Sequence, residues 1–594
     1  FTSAGSNDVF VAKLDASGDY EWATQAGGMS SENGNGVSVL ADGSSIVTGY
    51  FQGTATFGST TLTSAGSNDM FVAKIDASGN FDGIVIPDDA DLIINTQADT
   101  TFGGTVSNLA TLTTDAGGST IAKADITTTG NQTYNDQFVL NTSLTLTGGN
   151  ASFTGGIDGD GNDLTLNFTG NATLDGGATP ISGINNLTSL GGVAANGTIT
   201  TTAQQNYSGP VTLLGSSTFQ GTTGTFTGGL DGNTNDLTLD FSSGTTIDGN
   251  SVFSNLGNLT SKGPTALNGT IVTNGSQTYE DAVELIGATN LQGTSGTFTG
   301  GLDGKSNDIT LNFSDVTTID GSTVFSNLGN LTSVGAVELN GTINTTGSQD
   351  YQNSVTLQGD TKLEGTSGTI SGSLDGGNNN LTLDFSELTT IDGSSDVTNL
   401  RNLTSVGDVA LGGLIVTSGS QEYQQNISLI SNTTLQGSAG ILGGSFDGGS
   451  HDFTMNFAST TTIGGGISNV ADFTSVGAVD VTSDIATTGS QEYQSLVSLN
   501  ANATFTGTSG IFTGGLDGNG NDLTLNFSSA TTIDGNNDFS DLGSLRSIGD
   551  VNLNGTIVTA NVQTYEANMT LIGTTVLQGQ QGVINGSLIG DSND

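Results

Sequence analysis

Short stretches in which apolar and polar residues alternate recur along most of the chain, as in "LTLNF" at residues 164–168. Alternation with a period of two indicates β-strands that turn one face to a core and the other to water. Glycine, asparagine and aspartate separate these stretches, and all three favour turns with positive φ. The pattern therefore predicts an all-β chain of short strands joined by tight corners.

The alternating pattern is itself repeated at a long, regular interval over most of the chain. The motif "NDLTLNF" and its variants place markers at Asp91, Asp163, Asp236, Asp308, Asn380, Asp452, Asp522 and Asp594. Seven tyrosines recur at the same intervals, namely Tyr134, Tyr207, Tyr279, Tyr351, Tyr423, Tyr493 and Tyr565. We therefore divide the chain into a first region (residues 1–85), a linker (86–90) and an array (91–594). The repeats of the array begin near residues 91, 163, 236, 308, 380, 452 and 522.

A shorter period lies inside each repeat. An apolar residue followed by a polar residue and glycine recurs at Leu302, Ile319, Leu339 and Leu357. This spacing suits one coil of about 18 residues whose strands stack in parallel on those of the next coil. We predict a parallel β-helix or β-solenoid with four coils per repeat, which would form a rod of roughly 130–140 Å. A string of independent β-sandwich domains is the alternative, and it offers no reason for the inner period.

The first region contains two related segments, "AGSNDVFVAKLDASGDYEWATQAGG" from Ala4 and "AGSNDMFVAKIDASGNFDG" from Ala65. Each predicts a strand followed by an Asp-Ala-Ser-Gly turn, and two further strands lie between them. These segments resemble the bacterial β-propeller repeat often called SBBP. The resemblance covers two partial units and implies blades of four antiparallel strands, with Trp22 in the core.

The array resembles the repeats of large haemagglutinin-type bacterial surface adhesins. The resemblance rests on segments such as "GSQDYQNSVTLQGDTKLEG" from Gly347 together with the recurring "DLTL", and it covers the whole array. It implies a β-helix, an extracellular location on a bacterial cell surface, and a role in adhesion or in a surface coat.

Charge and composition narrow the classes of function. The formal net charge is −49 with only eight Lys and Arg, which excludes the basic surface that nucleic-acid binding requires. No apolar run is long enough for a membrane-spanning helix, so we expect no membrane insertion. The chain has no cysteine, which excludes disulfides and thiolate metal sites. Because the chain starts at Phe1 and stops at Asp594 within repeats, we expect it to be part of a longer one.

Aspartates at two corner positions of each repeat are the candidate metal ligands. If one coil separates the two positions, they stack about 4.8 Å apart. Two carboxylates that close repel by roughly 3 kcal/mol at an effective dielectric near 20, and bound calcium would relieve this repulsion. The alternative is that they are ordinary corner residues. The candidates are Asp158, Asp160, Asp175, Asp231, Asp248, Asp303, Asp320, Asp375, Asp392, Asp517 and Asp534.

No other residues form a candidate catalytic set. Paired carboxylates occur in glycosidases, but here they recur in every repeat, whereas a catalytic site is normally unique. His451 takes a slot that asparagine holds in other repeats, which indicates a turn residue. We expect the tyrosines to lie roughly 19 Å apart along one edge, as structural corners or as sugar-stacking residues.

These observations together predict a non-enzymatic structural protein, either an adhesin stalk or a subunit of a surface filament or matrix. A carbohydrate-binding or carbohydrate-cleaving β-helix module is the alternative. The candidate partners are further copies of the chain and surface polysaccharide, and calcium is the one candidate cofactor.

Overall fold

The computed structural model describes residues 1–64, 68–84, 90–248, 252–392, 396–534 and 538–590. All regular structure in these ranges is β-strand, which confirms the all-β prediction. The chain divides into two compact units, residues 1–175 with 179–184 and residues 176–178 with 185–594. Residues 86–89 of the predicted linker, the Ala65 start of the second segment and the marker Asp594 lie outside the described residues.

The first unit begins with eight antiparallel strands. They are β1 (Val9–Leu14), β2 (Tyr20–Gly28), β3 (Glu32–Val39), β4 (Ser45–Phe51), β5 (Thr54–Phe57), β6 (Thr60–Thr63), β7 (Asp69–Ile75) and β8 (Phe81–Ile84). They form two four-stranded sheets, with the orders β1-β2-β5-β6 and β3-β4-β7-β8. Each sheet has the strand number expected of a blade, but a closed propeller is not formed by the part of the chain that the structure describes.

The two antiparallel sheets share one apolar core. Phe57 lies at its centre, with ring centroids 4.5 Å from Phe71 and 6.4 Å from Phe51. Trp22 is partly buried, so it lies at the edge of this core and not within it, and it donates from Nε1 to the carbonyl oxygen of Ala77 at 3.1 Å.

Parallel strands follow from Ala90 onward in the first unit. They are Ala90–Ile94, Thr100–Phe102, Val106–Thr114, Ser119–Ala122, Ile126–Thr128, Gln132–Tyr134, Gln137–Leu140, Leu144–Gly148, Ala151–Phe153, Ile157–Asp158, Leu164–Phe168 and Asn171–Ile184. Strands from successive coils pair in register, as in Phe138 with Ile157 and Leu144 with Leu164.

The second unit continues with parallel strands from Leu187–Ser189 to Leu588–Gly590. One repeat shows the order of its strands, which are Gln277–Tyr279, Val283–Gly293, Gly296–Phe298, Leu302–Asp303, Ile309–Phe313, Val316–Leu328, Leu331–Ser333 and Ala336–Thr345. Inward residues such as Leu291, Phe298 and Leu311 are at most 1 % exposed, whereas the residues between them face outward. This alternation confirms the β-solenoid prediction.

The coil is longer than the inner period of the sequence predicts. Leu302 pairs with Phe325, Phe325 with Ile343 and Ile343 with Leu363. Ile319, which should lie one coil above Leu302, is paired with Phe298 instead. The coil length is therefore roughly 20 residues, and the prediction of four coils per repeat is wrong.

The register makes three repeats equal to eleven coils in the second unit. A path along one face runs from Tyr207 through Phe226, Ile247, Leu267, the Val283–Leu285 strand, Leu302, Phe325, Ile343, Leu363, Leu383 and Ser405 to Tyr423. These eleven steps cover the three repeats between Tyr207 and Tyr423. One repeat is therefore about three and two-thirds coils, and each repeat starts about a third of a turn away from the previous one.

Candidate functional site

The aspartates of the first corner position close a turn in their own coil. The Oδ1 atom of each accepts the backbone N–H of the residue two positions later, at 3.0 to 3.2 Å. The aspartates concerned are Asp158, Asp231, Asp303, Asp375 and Asp517. Asp160, the partner of Asp158, has a φ of 46°, so this turn passes through the left-handed region. The carboxylate thus replaces a missing backbone acceptor at the corner.

The aspartates of the second position bind asparagines of the next coil. Asp248, Asp320 and Asp534 each accept a hydrogen bond at 3.0 Å from the Nδ2 group of the asparagine that follows one coil later. Asp175 and Asp392 also have interaction partners. These stacks alternate a charged group with a neutral amide, which removes the repulsion that bare stacked carboxylates would suffer.

The prediction that the two aspartate positions stack on each other is wrong. Asp231 pairs in register with Ser254, whereas Asp248 pairs with Asn268. The step from Asp231 to Asp248 is shorter than a coil, so it does not complete one turn and leads to a different strand. The described ranges contain no group of three or more His, Cys, Asp or Glu side chains arranged to hold a metal ion.

An asparagine that the sequence analysis did not single out completes the first corner. Its Nδ2 group donates to the corner aspartate of the preceding coil at 3.1 to 3.2 Å, and its φ lies between 54° and 57°. The residues are Asn255, Asn327, Asn399 and Asn469. Each of these asparagines stands in a recurring tripeptide, "SNL", "TNL" or "SNV", and this recurrence could have identified them from the sequence. Asp541 takes this position in a later repeat and keeps a φ of 50°.

The seven repeated tyrosines are inside the solenoid and not along an outer edge. Each is at most 1 % exposed, and each hydroxyl donates to the Oε1 atom of the glutamine two residues earlier, at 2.7 to 3.0 Å. Gln349, for example, donates in turn from Nε2 to the carbonyl oxygens of Ile343 and Glu364. The tyrosines are therefore structural, and the expected spacing along one edge is wrong because each repeat turns to a new face.

Burial also changes the acidity of these tyrosines. Loss of solvation raises the pKa of Tyr279, Tyr351 and Tyr423 well above the usual value. For Tyr134, the negative charge of Asp136 adds to the effect of burial and raises the pKa further. These hydroxyls stay protonated at neutral pH and act as hydrogen-bond donors.

His451 occupies the same turn as the asparagines of other repeats. Its backbone N–H donates to the Gly448 carbonyl oxygen at 2.8 Å, as that of Asn307 does to Gly304. The Asn307 side chain additionally donates to the Leu285 carbonyl oxygen at 3.0 Å. The backbone geometry agrees with the prediction that His451 is a turn substitution.

Every Lys and Arg of the second unit is engaged by a carboxylate. The ion pairs are Lys262–Asp240, Lys305–Asp303, Lys362–Asp384, Arg401–Asp360 and Arg546–Glu566, at 2.7 to 3.6 Å. All are solvent-exposed, so each contributes little to stability. Because these ion pairs occupy every Lys and Arg, the described surface of this unit offers an anionic partner no unpaired Lys or Arg side chain.

A groove lies on the surface of the second unit. It has a volume of about 580 Å³ and is lined by Thr225, Thr246, Glu284 and Asp303 among others. Gly244, with a φ of 138°, lies in its wall at a position that Val316 and Leu388 hold in the following repeats. Lys305 lies 3.9 Å from Glu284 and 2.9 Å from Asp303, so both carboxylates face the same cation.

Comparison of the chain with protein-family models, curated proteins and solved structures finds no match. No helix in the described part of the chain is long and apolar enough to cross a membrane. The site assignments therefore rest on the geometry of this chain alone.

Proposed function

We propose that this chain is a non-enzymatic structural protein of a bacterial surface, an acidic solenoid that serves as an adhesin stalk or as the subunit of a filament or matrix. One observation carries this proposal. Each repeat is about three and two-thirds coils long, so any feature of the repeat is distributed over three faces in turn. A surface with no unique face suits a spacer or a building block.

The arrangement of charge supports the same function. The corner aspartates bind backbone N–H groups and asparagines, which makes them part of the ladder between coils. Outward carboxylates outnumber basic residues so strongly that the surface repels other anions and stays hydrated. No Lys or Arg occurs between Arg401 and Arg546, so trypsin-like proteases lack a cleavage site there, an advantage outside the cell.

Electron microscopy of the purified chain over a series of concentrations tests this proposal. Discrete elongated particles at every concentration support a stalk, and filaments that lengthen with concentration support a building block. The same series with calcium and with a chelator shows whether a divalent cation controls assembly. Compact globular particles, or strings of separate beads, would contradict both versions.

A carbohydrate-binding or carbohydrate-cleaving module is the second candidate, and the groove at Gly244 favours it. Its hydroxyls and paired carboxylates are groups that bind sugars. We would incubate the chain and the Glu284→Gln variant, which removes the charge of one of the two groove carboxylates, with acidic and neutral polysaccharides. Binding or cleavage that Glu284→Gln abolishes would favour this candidate, whereas equal behaviour of the two chains would leave the structural function.

A further inference from the structure

Glu32, the first residue of β3, is a buried carboxylate that the solenoid does not explain. It is only 1 % exposed. Its Oε2 atom accepts the backbone N–H of Gly28 at 2.8 Å, but Oε1 is buried and has no hydrogen-bond partner within the described ranges. A buried charge with half of its acceptors unused is strongly unfavourable unless another group neutralises it.

Asp8 brings a second carboxylate to the same place. Asp8 and Glu32 both line a cavity of about 490 Å³, together with Ser3, Ser6 and Asn7. The Asp8 carboxylate lies against Gly27, where an added Cβ would come within 2.5 Å of Cγ. Glu32 accepts from the next residue of the same strand, Gly28, so the two carboxylates contact neighbouring residues of β2.

No basic side chain neutralises this pair in the described part of the first unit. Lys13 is paired with Glu21 at 2.7 Å, and no ion pair to Asp8 or Glu32 is formed among the described residues.

Neutral groups hold the two carboxylates in place. The Asp8 carboxylate accepts hydrogen bonds from Ser3 Oγ at 3.0 Å, from the Ala4 backbone N–H at 3.1 Å and from Gln25 Nε2. The backbone N–H of Glu32 donates to the Asn7 carbonyl oxygen at 2.8 Å, which fixes the two segments to each other.

We propose that Asp8 and Glu32 form a calcium site, with the unpartnered Oε1 atom of Glu32 as its innermost ligand. Carboxylate, amide and hydroxyl oxygens are the ligands of hard cations. Calcium accepts six to eight oxygens in irregular geometry and fits a wide cavity, whereas magnesium requires a nearly ideal octahedron. Since only two carboxylates contribute, we expect a dissociation constant of about 10⁻⁴–10⁻³ M, typical of extracellular calcium modules.

Trp22 provides a local reporter for the test. It is the only tryptophan of the chain and packs against the core that β1–β8 share. Its fluorescence during thermal unfolding of the full chain follows this region without interference from the solenoid. At a calcium concentration ten times the dissociation constant, we expect the midpoint to rise by roughly 5–10 °C.

Glu32→Gln and Asp8→Asn should lose this calcium-dependent shift, and Glu21→Gln should keep it. Glu21 is the matched control because it is an exposed, ion-paired glutamate of β2, the strand whose Gly28 donates to Glu32. An unchanged shift in Glu32→Gln and Asp8→Asn, or no shift in the parent chain, would overturn the proposal. An equal shift with magnesium would overturn the assignment to calcium. If Glu32→Gln does not fold, Asp8→Asn alone decides.

Discussion

The antiparallel strands β1–β8 and the solenoid of the second unit use the same turn chemistry to build different folds. Asp15 and Asp76 each accept two backbone N–H groups in their Asp-Ala-Ser-Gly turns, at 2.8 to 2.9 Å. Asp231 and its equivalents make a similar bond to the residue two positions on. In the first case the chain reverses and pairs with its immediate neighbour in sequence. In the second case it turns to a new face and pairs with a strand one coil later.

The difference teaches that a turn motif fixes the corner but not the partner strand. In the solenoid, each strand finds a similar strand one coil later, so inward residues such as Leu291 and Leu311 stack on each other and are fully buried. In β3, by contrast, Val37 is 64 % and Val39 71 % exposed, although the strand is paired with β4. Repetition supplies the solenoid strands with apolar neighbours that Val37 and Val39 of β3 lack.

Alkaline pH should separate the two regions most strongly. Burial raises the pKa of tyrosines such as Tyr279 and Tyr351, so the neutral form is favoured in the folded state. Their contribution to stability is complete below the unfolded pKa of about 10 and is lost as the pH rises above it. We expect circular dichroism and tyrosinate absorbance to report solenoid unfolding in this range while Trp22 fluorescence of β1–β8 changes less. Simultaneous loss of both signals would contradict this difference.

Removal of one large core side chain should spread differently in the two regions. Phe71→Ala and Phe298→Ala each remove a ring that is at most 2 % exposed and should cost about 3–5 kcal/mol. Because a coil contacts only its neighbours, we expect Phe298→Ala to raise hydrogen exchange in adjacent coils and not beyond Tyr423. Phe71→Ala should expose all of β1–β8 together. Uniform exchange along the solenoid in Phe298→Ala would show that it unfolds as one cooperative block.

Close approach between coils should make Gly335→Ala destabilising. A Cβ added at Gly335 would clash with the carbonyl oxygen of Phe313 in the preceding coil, and a backbone atom of a paired strand cannot move away freely. We expect a loss of about 1–3 kcal/mol in the free energy of unfolding, measured by chemical denaturation. Gly103→Ala is the control, since nothing lies within 4 Å of its added Cβ. Equal stability of the two variants would mean that the coils are less tightly spaced.

The smallest effect should come from two buried threonines, and its sign should differ between them. Thr317 is fully buried and its hydroxyl has no partner within the described ranges, so Thr317→Val should stabilise the solenoid by about 1 kcal/mol. Thr289 donates to the Gly287 carbonyl oxygen at 3.0 Å, so Thr289→Val should destabilise it by about 1 kcal/mol. Thermal unfolding of both variants measures the difference. A loss of stability in Thr317→Val would reveal a partner for its hydroxyl.

The class of fold could be predicted from the sequence because a period of two and a long internal repeat are direct consequences of strand geometry and stacking. The predicted coil length was wrong because the marker Ile319 belongs to the face of Phe298, and only the register between coils shows this. The corner aspartates were found correctly as positions, but their partners, Asn255 and Asn268, lie one coil away. Glu32 was missed because it occurs once and its burial depends on the packing of two sheets.

Pairs of introduced cysteines measure the coil length most directly, because the chain has no cysteine of its own. Thr278 pairs in register with Thr297, Thr297 with Thr318, and Thr318 with Glu338. Neighbouring strands place their Cα atoms within the range of roughly 4.4–6.8 Å that a disulfide requires. We expect each of these three double-cysteine variants to form a disulfide on oxidation. The shorter coil of the inner period would instead join Thr297 to Asp315, and a disulfide there, with none between 297 and 318, would contradict the account of eleven coils in three repeats.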